Sequence, residues 1–118
     1  MQLMIIVLNK TEVLGRLLSA FMEAGIGGAT VAETKGMLNA LDESTDDLPP
    51  LFHSFRSFLR LDEAYNKTIF AVISDDLVKE ASRIVNEVTG GLDKPNTGIL
   101  FTVPISYTEG LPKKTTNQ

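Results

Sequence analysis

The sequence predicts a single α+β domain, and three observations lead to this prediction. Apolar runs of strand length alternate with helical stripes in the order strand, helix, strand, insertion, strand, helix, strand. The chain has 118 residues, which is the usual size of one domain. Its composition, 43% hydrophobic and 22% charged, is typical of a globular protein. We therefore expect residues 1–110 to form one domain and residues 111–118 to form a flexible tail.

The first half of the chain predicts two strands on either side of a helix. Residues 3–8 form a continuous apolar run, which is typical of a covered strand. Asn9 and Glu12 have the spacing of a capping box, and apolar residues then recur at helical intervals over 13–23. Glycines follow and end the helix, and residues 29–33 alternate enough to predict a second strand.

The second half of the chain repeats this order. Residues 68–73 predict a third strand, and residues 74–76 (Ser-Asp-Asp) predict a cap and an acidic first turn. Residues 77–88 carry a second helical stripe, and residues 98–105 predict the last strand. Two such halves form a ferredoxin-like βαββαβ fold, in which an antiparallel four-stranded sheet carries both helices on one face.

The insertion at residues 37–66 is too long for a simple connection, which is typical of functional loops. Its first part is polar and acidic. After Pro49 and Pro50 an apolar stripe predicts a short extra helix. Exposed phenylalanines would be costly in water, so this helix is expected to contact its own sheet, a neighbouring subunit or a partner. The candidate partner-binding residues are Phe52, His53, Phe55, Arg56 and Phe58.

The composition excludes several classes of function. A net charge of −4 argues against a nucleic acid partner, and the absence of cysteine excludes disulfides and thiol chemistry. A single histidine excludes a histidine metal cluster, and no nucleophile motif is present. The apolar start of the chain is too short to span a bilayer. We expect a cytoplasmic protein that is not an enzyme, with no metal and no membrane insertion.

Other functions of the same fold fit the residues less well. RNA-recognition sheets need exposed aromatic residues on their central strands, and only Phe70 qualifies. An acylphosphatase needs an arginine after the first strand, where this chain has Lys10. The acidic run at 42–47 lacks the EF-hand spacing, so a solvated loop is favoured, with cation binding or an enzymatic role as a third hypothesis.

The connection at residues 89–98 contains three glycines and Lys94. Such a loop could present backbone N–H groups and one cation to a phosphate. It does not match a P-loop, because a P-loop opens a helix and this loop follows one. Taken alone, a plain connection from helix to strand is the favoured interpretation.

Several of these segments together resemble the PII family of nitrogen-regulatory proteins. Residues 24–36 (AGIGGATVAETKG) resemble the family segment that leads through the second strand into its long T-loop. Residues 70–76 (FAVISDD) are placed like its third strand and the start of its second helix. Residues 89–90 resemble the opening of its B-loop, and residues 99–105 the strand that follows. The resemblance covers the chain except the insertion and the tail.

The resemblance implies a homotrimer that senses a small molecule in nitrogen regulation and related signal transduction. It implies a cleft between subunits that binds an adenine nucleotide as effector, and an insertion that controls a partner protein. The ligand-binding residues implied by the resemblance, together with lysines that could add charge, are Thr30, Lys35, Gly36, Met37, Lys67, Thr89, Gly90, Gly91, Lys94 and Gly98.

The chain also departs from the family pattern. Residues 36–40 read Gly-Met-Leu-Asn-Ala where the family has Gly-Phe-Gly-Arg-Gln, and Ile99 replaces a lysine. Charge-assisted contacts to phosphate are thereby lost, and Lys94 or Lys67 are the candidates to replace them. A second hypothesis follows, in which the nucleotide site has decayed and the trimer binds a partner through its phenylalanine-rich helix.

Overall fold

The computed structural model describes residues 1–43 and 65–111, and within them four strands form one antiparallel sheet. The strands are β1 (Gln2–Leu8), β2 (Ala29–Thr34), β3 (Asn66–Ile73) and β4 (Gly98–Pro104). Their order across the sheet is β2-β3-β1-β4, so β1 and β3 are central and β2 and β4 are the edges.

The described helices are α1 (Leu14–Glu23), α2 (Met37–Glu43) and α3 (Val78–Thr89). A short 3-10 turn precedes α1 at Thr11–Val13, and another precedes α3 at Asp75–Leu77. The chain is therefore α+β with an antiparallel four-stranded sheet, as the sequence predicts. This arrangement is compatible with a ferredoxin-like fold.

The hydrophobic core lies between one face of the sheet and the helices α1 and α3. Alternate residues of β1 are fully buried, and the register places Met4 opposite Ala71 and Ile6 opposite Ile69. Both helices contribute to the same buried cluster, so they cover the same face of the sheet. The cluster comprises Met4, Ile6, Leu8, Val13, Leu17, Phe21, Ile26, Ile69, Ala71, Ile73, Ala81, Ile84 and Val85.

The opposite face of the sheet is also apolar. Because side chains alternate along a strand, the remaining residues of the central strands and of β4 point away from the helices. Several of these side chains are exposed: 58% at Ile99, 43% at Phe101 and 38% at Phe70. This surface, which we call the open sheet face, consists of Leu3, Ile5, Val7, Phe70, Val72, Ile99, Phe101 and Val103.

The starts of the helices differ from the prediction. The predicted capping box of Asn9 and Glu12 is wrong, because no side chain caps this helix. The backbone N–H groups of Asn9 and Lys10 instead both donate to the carbonyl of Thr97. The predicted cap at Ser74 makes no side-chain hydrogen bond either, and its carbonyl accepts from the N–H of Leu77.

The insertion contains a helix that the sequence analysis did not predict. The structure forms α2 at Met37–Glu43, where the sequence predicts only a polar, acidic segment. The helix predicted after Pro50, with its phenylalanines, lies outside the described residues, as does most of the tail. Of the helices in the described ranges, none has the length and hydrophobicity needed to cross a bilayer.

Replacing Leu17 with alanine should test the core between α1 and the sheet. The side chain is fully buried, so the free energy of unfolding should fall by about 2–5 kcal/mol in urea denaturation. Met22→Ala is the control on the same helix, since Met22 is 69% exposed and its loss should change stability by less than about 0.5 kcal/mol. Equal losses at the two positions would contradict the orientation of α1.

Candidate functional site

The strand register places the two glycine-bearing segments at the same end of the sheet. Leu8, the last residue of β1, pairs with both Lys67 of β3 and Gly98 of β4. Thr34, the last residue of β2, pairs with Asn66 at the start of β3. The ends of β1 and β2 and the beginnings of β3 and β4 therefore lie together, and we call this region the loop end of the sheet.

Within the loop end, the two segments lie at opposite edges. Gly36 follows the edge strand β2, whereas Gly98 begins the other edge strand, β4. Strands β3 and β1 lie between them, and three spacings between neighbouring strands amount to roughly 14 Å. One chain alone does not bring these two segments around a single small ligand.

Three contacts hold the base of the insertion together, two between β2 and β3 and one just beyond the ends of these strands. The ammonium of Lys67 lies 2.8 Å from a carboxylate oxygen of Glu33. The Oγ1 atoms of Thr34 and Thr68 share a hydrogen bond of 2.7 Å. One residue further, the ammonium of Lys35 lies 5.4 Å from the centre of the Tyr65 ring, a cation–π distance. The two candidate lysines of this region therefore already have partners inside the chain.

The remaining candidates on β2 and α2 lie in different places. Gly36 is next to Asn66, whose Nδ2 would lie 3.7 Å from a Cβ at this position, an ordinary contact. Met37 begins α2 and is 74% exposed. Thr30 pairs with Phe70, four residues before Thr34 and thus about 13 Å along the strand. Within one chain, Thr30 is not brought to the loop end.

Residues 89–98, which we call the glycine turn, connect α3 to β4. Gly90 ends the helix in the left-handed conformation, with φ at 90°. The backbone N–H groups that follow are used within the turn. Gly90 donates to the carbonyl of Asn86, Gly91 to Oγ1 of Thr89, Leu92 to Oδ1 of Asn86, and Lys94 to the carbonyl of Gly91. These donors are therefore not free to surround a phosphate.

Two candidate residues of the glycine turn have structural tasks. The side chain of Thr89 is buried and donates a 2.7 Å hydrogen bond to the carbonyl of Val85. Gly98 has φ at 149°, and a Cβ there would lie 2.5 Å from the carbonyl oxygen of Val7. Only glycine allows β4 to approach β1 this closely.

The structure reveals two cations at the carboxyl end of α3 that the sequence analysis did not select as ligand-binding residues. The ammonium of Lys10 donates to the carbonyl of Thr89 at 3.0 Å, and Arg16 donates to the carbonyl of Val88 at 3.0 Å. Lys94 donates to the next carbonyl, that of Gly90, at 2.9 Å. Basic side chains suit the negative end of a helix. Lys10 lies 79 residues before its partner, so no local pattern could have identified it.

The other predicted sites are only partly covered by the structure. The candidate partner-binding residues lie outside the described residues. The acidic run at 42–47 begins at the end of α2 and continues beyond them. In the part of the chain that is described, no three histidine, aspartate or glutamate residues cluster as metal ligands.

Neither a family model nor a curated protein sequence matches this chain.

Replacing Gly98 with alanine should show that this candidate residue is required for folding. The new Cβ would clash with the carbonyl of Val7 at an unfavourable φ, so stability should fall by about 2 kcal/mol or more in urea denaturation, with or without ligand. Gly27→Ala is the matched control, because a Cβ there meets no atom within 4 Å. A Gly98→Ala variant as stable as the control would contradict the close approach of β4 to β1.

Proposed function

We propose that this chain is a PII-like regulatory protein with a ferredoxin-like fold that works as a homotrimer. It binds a nucleotide or another small anionic effector in clefts between subunits. Binding controls a partner protein through the insertion at residues 37–66, and the protein catalyses no reaction itself.

The observation that carries this proposal is the position of the two glycine-bearing segments. They lie at the same end of the sheet but at opposite edges, roughly 14 Å apart. A second copy of the chain, placed with its β4 edge beside the β2 edge of the first, brings Gly36 of one copy near the glycine turn of the other. A cleft between subunits is the arrangement in which both segments contact one ligand.

The open sheet face supports self-association. It is apolar across three neighbouring strands, and Ile99, Phe101 and Val103 are each more than 40% exposed. A contiguous apolar surface of this kind on a sheet is typical of a protein interface. Copies related by rotational symmetry bury the same face of each chain.

A second candidate function is favoured because candidate binding groups already have partners within the chain. Lys35 and Lys67 have partners within the chain, and the backbone donors of the glycine turn are used internally. A trimer whose nucleotide site has decayed, and which binds its partner through the phenylalanine-rich helix, also fits these contacts.

Replacing Phe101 with aspartate should test the assembly. A charge in the middle of β4, on the open sheet face, would be desolvated on association, so the variant should be a monomer in size-exclusion chromatography with light scattering, while the unmodified chain is a trimer. Met22→Asp is the control, because it places the same charge on an exposed apolar residue of α1. A Phe101→Asp variant that stays trimeric would refute the use of this face.

The effector can be sought by calorimetric titration of the purified protein. Adenine nucleotides, cyclic dinucleotides, 2-oxoglutarate and bicarbonate form the panel. We expect at least one of these compounds to bind with one site per subunit. Binding should be lost in the monomeric Phe101→Asp variant and retained in Met22→Asp. If none of these compounds binds to an intact trimer, the result would count against effector binding and favour the second candidate function.

A further inference from the structure

The carboxyl end of α3 gathers three cations from three separate parts of the chain. Lys10 follows β1, Arg16 belongs to α1 and Lys94 lies in the glycine turn. Their side chains donate to the carbonyls of three consecutive residues, at 2.9 to 3.0 Å. These carbonyls are neutral acceptors, so the contacts satisfy hydrogen bonds without neutralising the cations.

The three cations at this end of α3 form no ion pairs with carboxylates of the described residues. Elsewhere in the described ranges, Lys67 pairs with Glu33, and Arg83 pairs with Glu80 and Glu87. The ion pairs within residues 1–43 and 65–111 include none of the three cations. Asp93 lies near Lys94, since the side chains of both residues lie within 4 Å of a Cβ built on Gly91.

The charges of the named groups favour an anion at the carboxyl end of α3. The carboxyl end of a helix carries roughly half a negative charge, which by itself repels anions. Asp93 adds one negative charge, while the three side chains carry three positive ones. Among these groups, positive charge exceeds negative charge by roughly one and a half, in a chain whose net charge is −4.

The donors available to an anion are side-chain groups. Each lysine ammonium has three N–H groups, and each contact to a carbonyl uses one of them. The backbone N–H groups of Gly90, Gly91 and Leu92 already have acceptors within the chain. Both ammonium groups lie at the carboxyl end of α3, because they donate to the carbonyls of the adjacent residues Thr89 and Gly90.

We propose that Lys10 and Lys94 form a binding site for a small phosphate-type anion, with two or more negative charges, at the carboxyl end of α3. The inference deepens the proposed function and rests on it for the class of effector. It names Lys10 as a ligand-binding residue and assigns recognition of the anion to side chains instead of the backbone of the glycine turn. Both lysines belong to one chain, so this site does not require the trimer.

Titration with inorganic pyrophosphate, followed by calorimetry and by amide chemical shifts, tests the site. Pyrophosphate should shift the amide signals of Gly90 and Gly91 and bind at constant ionic strength. Lys10→Met and Lys94→Met should each weaken binding about tenfold or more, because each removes a charge-assisted hydrogen bond. Lys10→Arg should retain binding.

Lys79→Met is the matched control. Lys79 is an exposed lysine in the first turn of α3, so its loss changes the net charge equally at the opposite end of the helix. Its effect should stay within about twofold, since distant exposed charges are screened. Loss of affinity in Lys79→Met equal to that in Lys10→Met, or no binding of pyrophosphate beyond that of chloride, would overturn the proposal.

The source of the anion is decided by a parallel titration with ADP. If the anion is part of a nucleotide, ADP binds more tightly than pyrophosphate and loses affinity in Lys10→Met by a similar factor. If the anion is free, ADP binds no more tightly than pyrophosphate. Pyrophosphate binding that survives in the monomeric Phe101→Asp variant supports the site even where the trimer proposal fails. Pyrophosphate binding that Lys10→Met leaves unchanged refutes the site, whereas nucleotide binding to the trimer in the same variant leaves the proposed function intact.

Discussion

The register of β1 against its two neighbours is the constraint on which the rest of this molecule depends. β1 pairs along its whole length with β3 on one side and with β4 on the other. A slip by one residue would move Met4, Ile6 and Leu8 from the core to the opposite face. The same register places Gly98 against the end of β1, so the core, the open sheet face and the loop end are fixed together. The burial of three β1 side chains thus determines where the candidate site lies.

The strands and the two long helices could be predicted from the sequence because their signal is local. An apolar run or a stripe of period 3.6 reflects the burial of one face, and the observed strands agree with the predicted ones to within about two residues. The helix starts could not be predicted in the same way. The capping-box spacing of Asn9 and Glu12 is a local pattern, but the carbonyl of Thr97, distant in sequence, accepts from Asn9 and Lys10 instead. A contact between residues so far apart has no local signature.

The same distinction applies to the candidate site. The glycines and threonine at residues 89–98 attract attention as a possible phosphate loop, yet the helix cap at Gly90, the buried Thr89 and the close approach at Gly98 each require those residue types for folding. Folding and phosphate binding therefore favour the same residue types at these positions, and the sequence motif alone does not distinguish the two roles. Lys10 and Lys94 are different, because the fold uses only one of three N–H groups on each ammonium.

The pairing of β2 with β3 at the base of the insertion affects how far the length and sequence of the insertion can change. β2 and β3 are paired as far as Thr34 and Asn66, with Glu33 and Lys67 joined one residue further in. The sheet is thus complete before the chain leaves it. The entropy of closing a loop rises only logarithmically with its length, and doubling the length costs about 0.6 kcal/mol. The segment between these strands can accordingly lengthen, shorten or exchange its side chains at little cost to the stability of the domain, so that it can evolve independently of the scaffold.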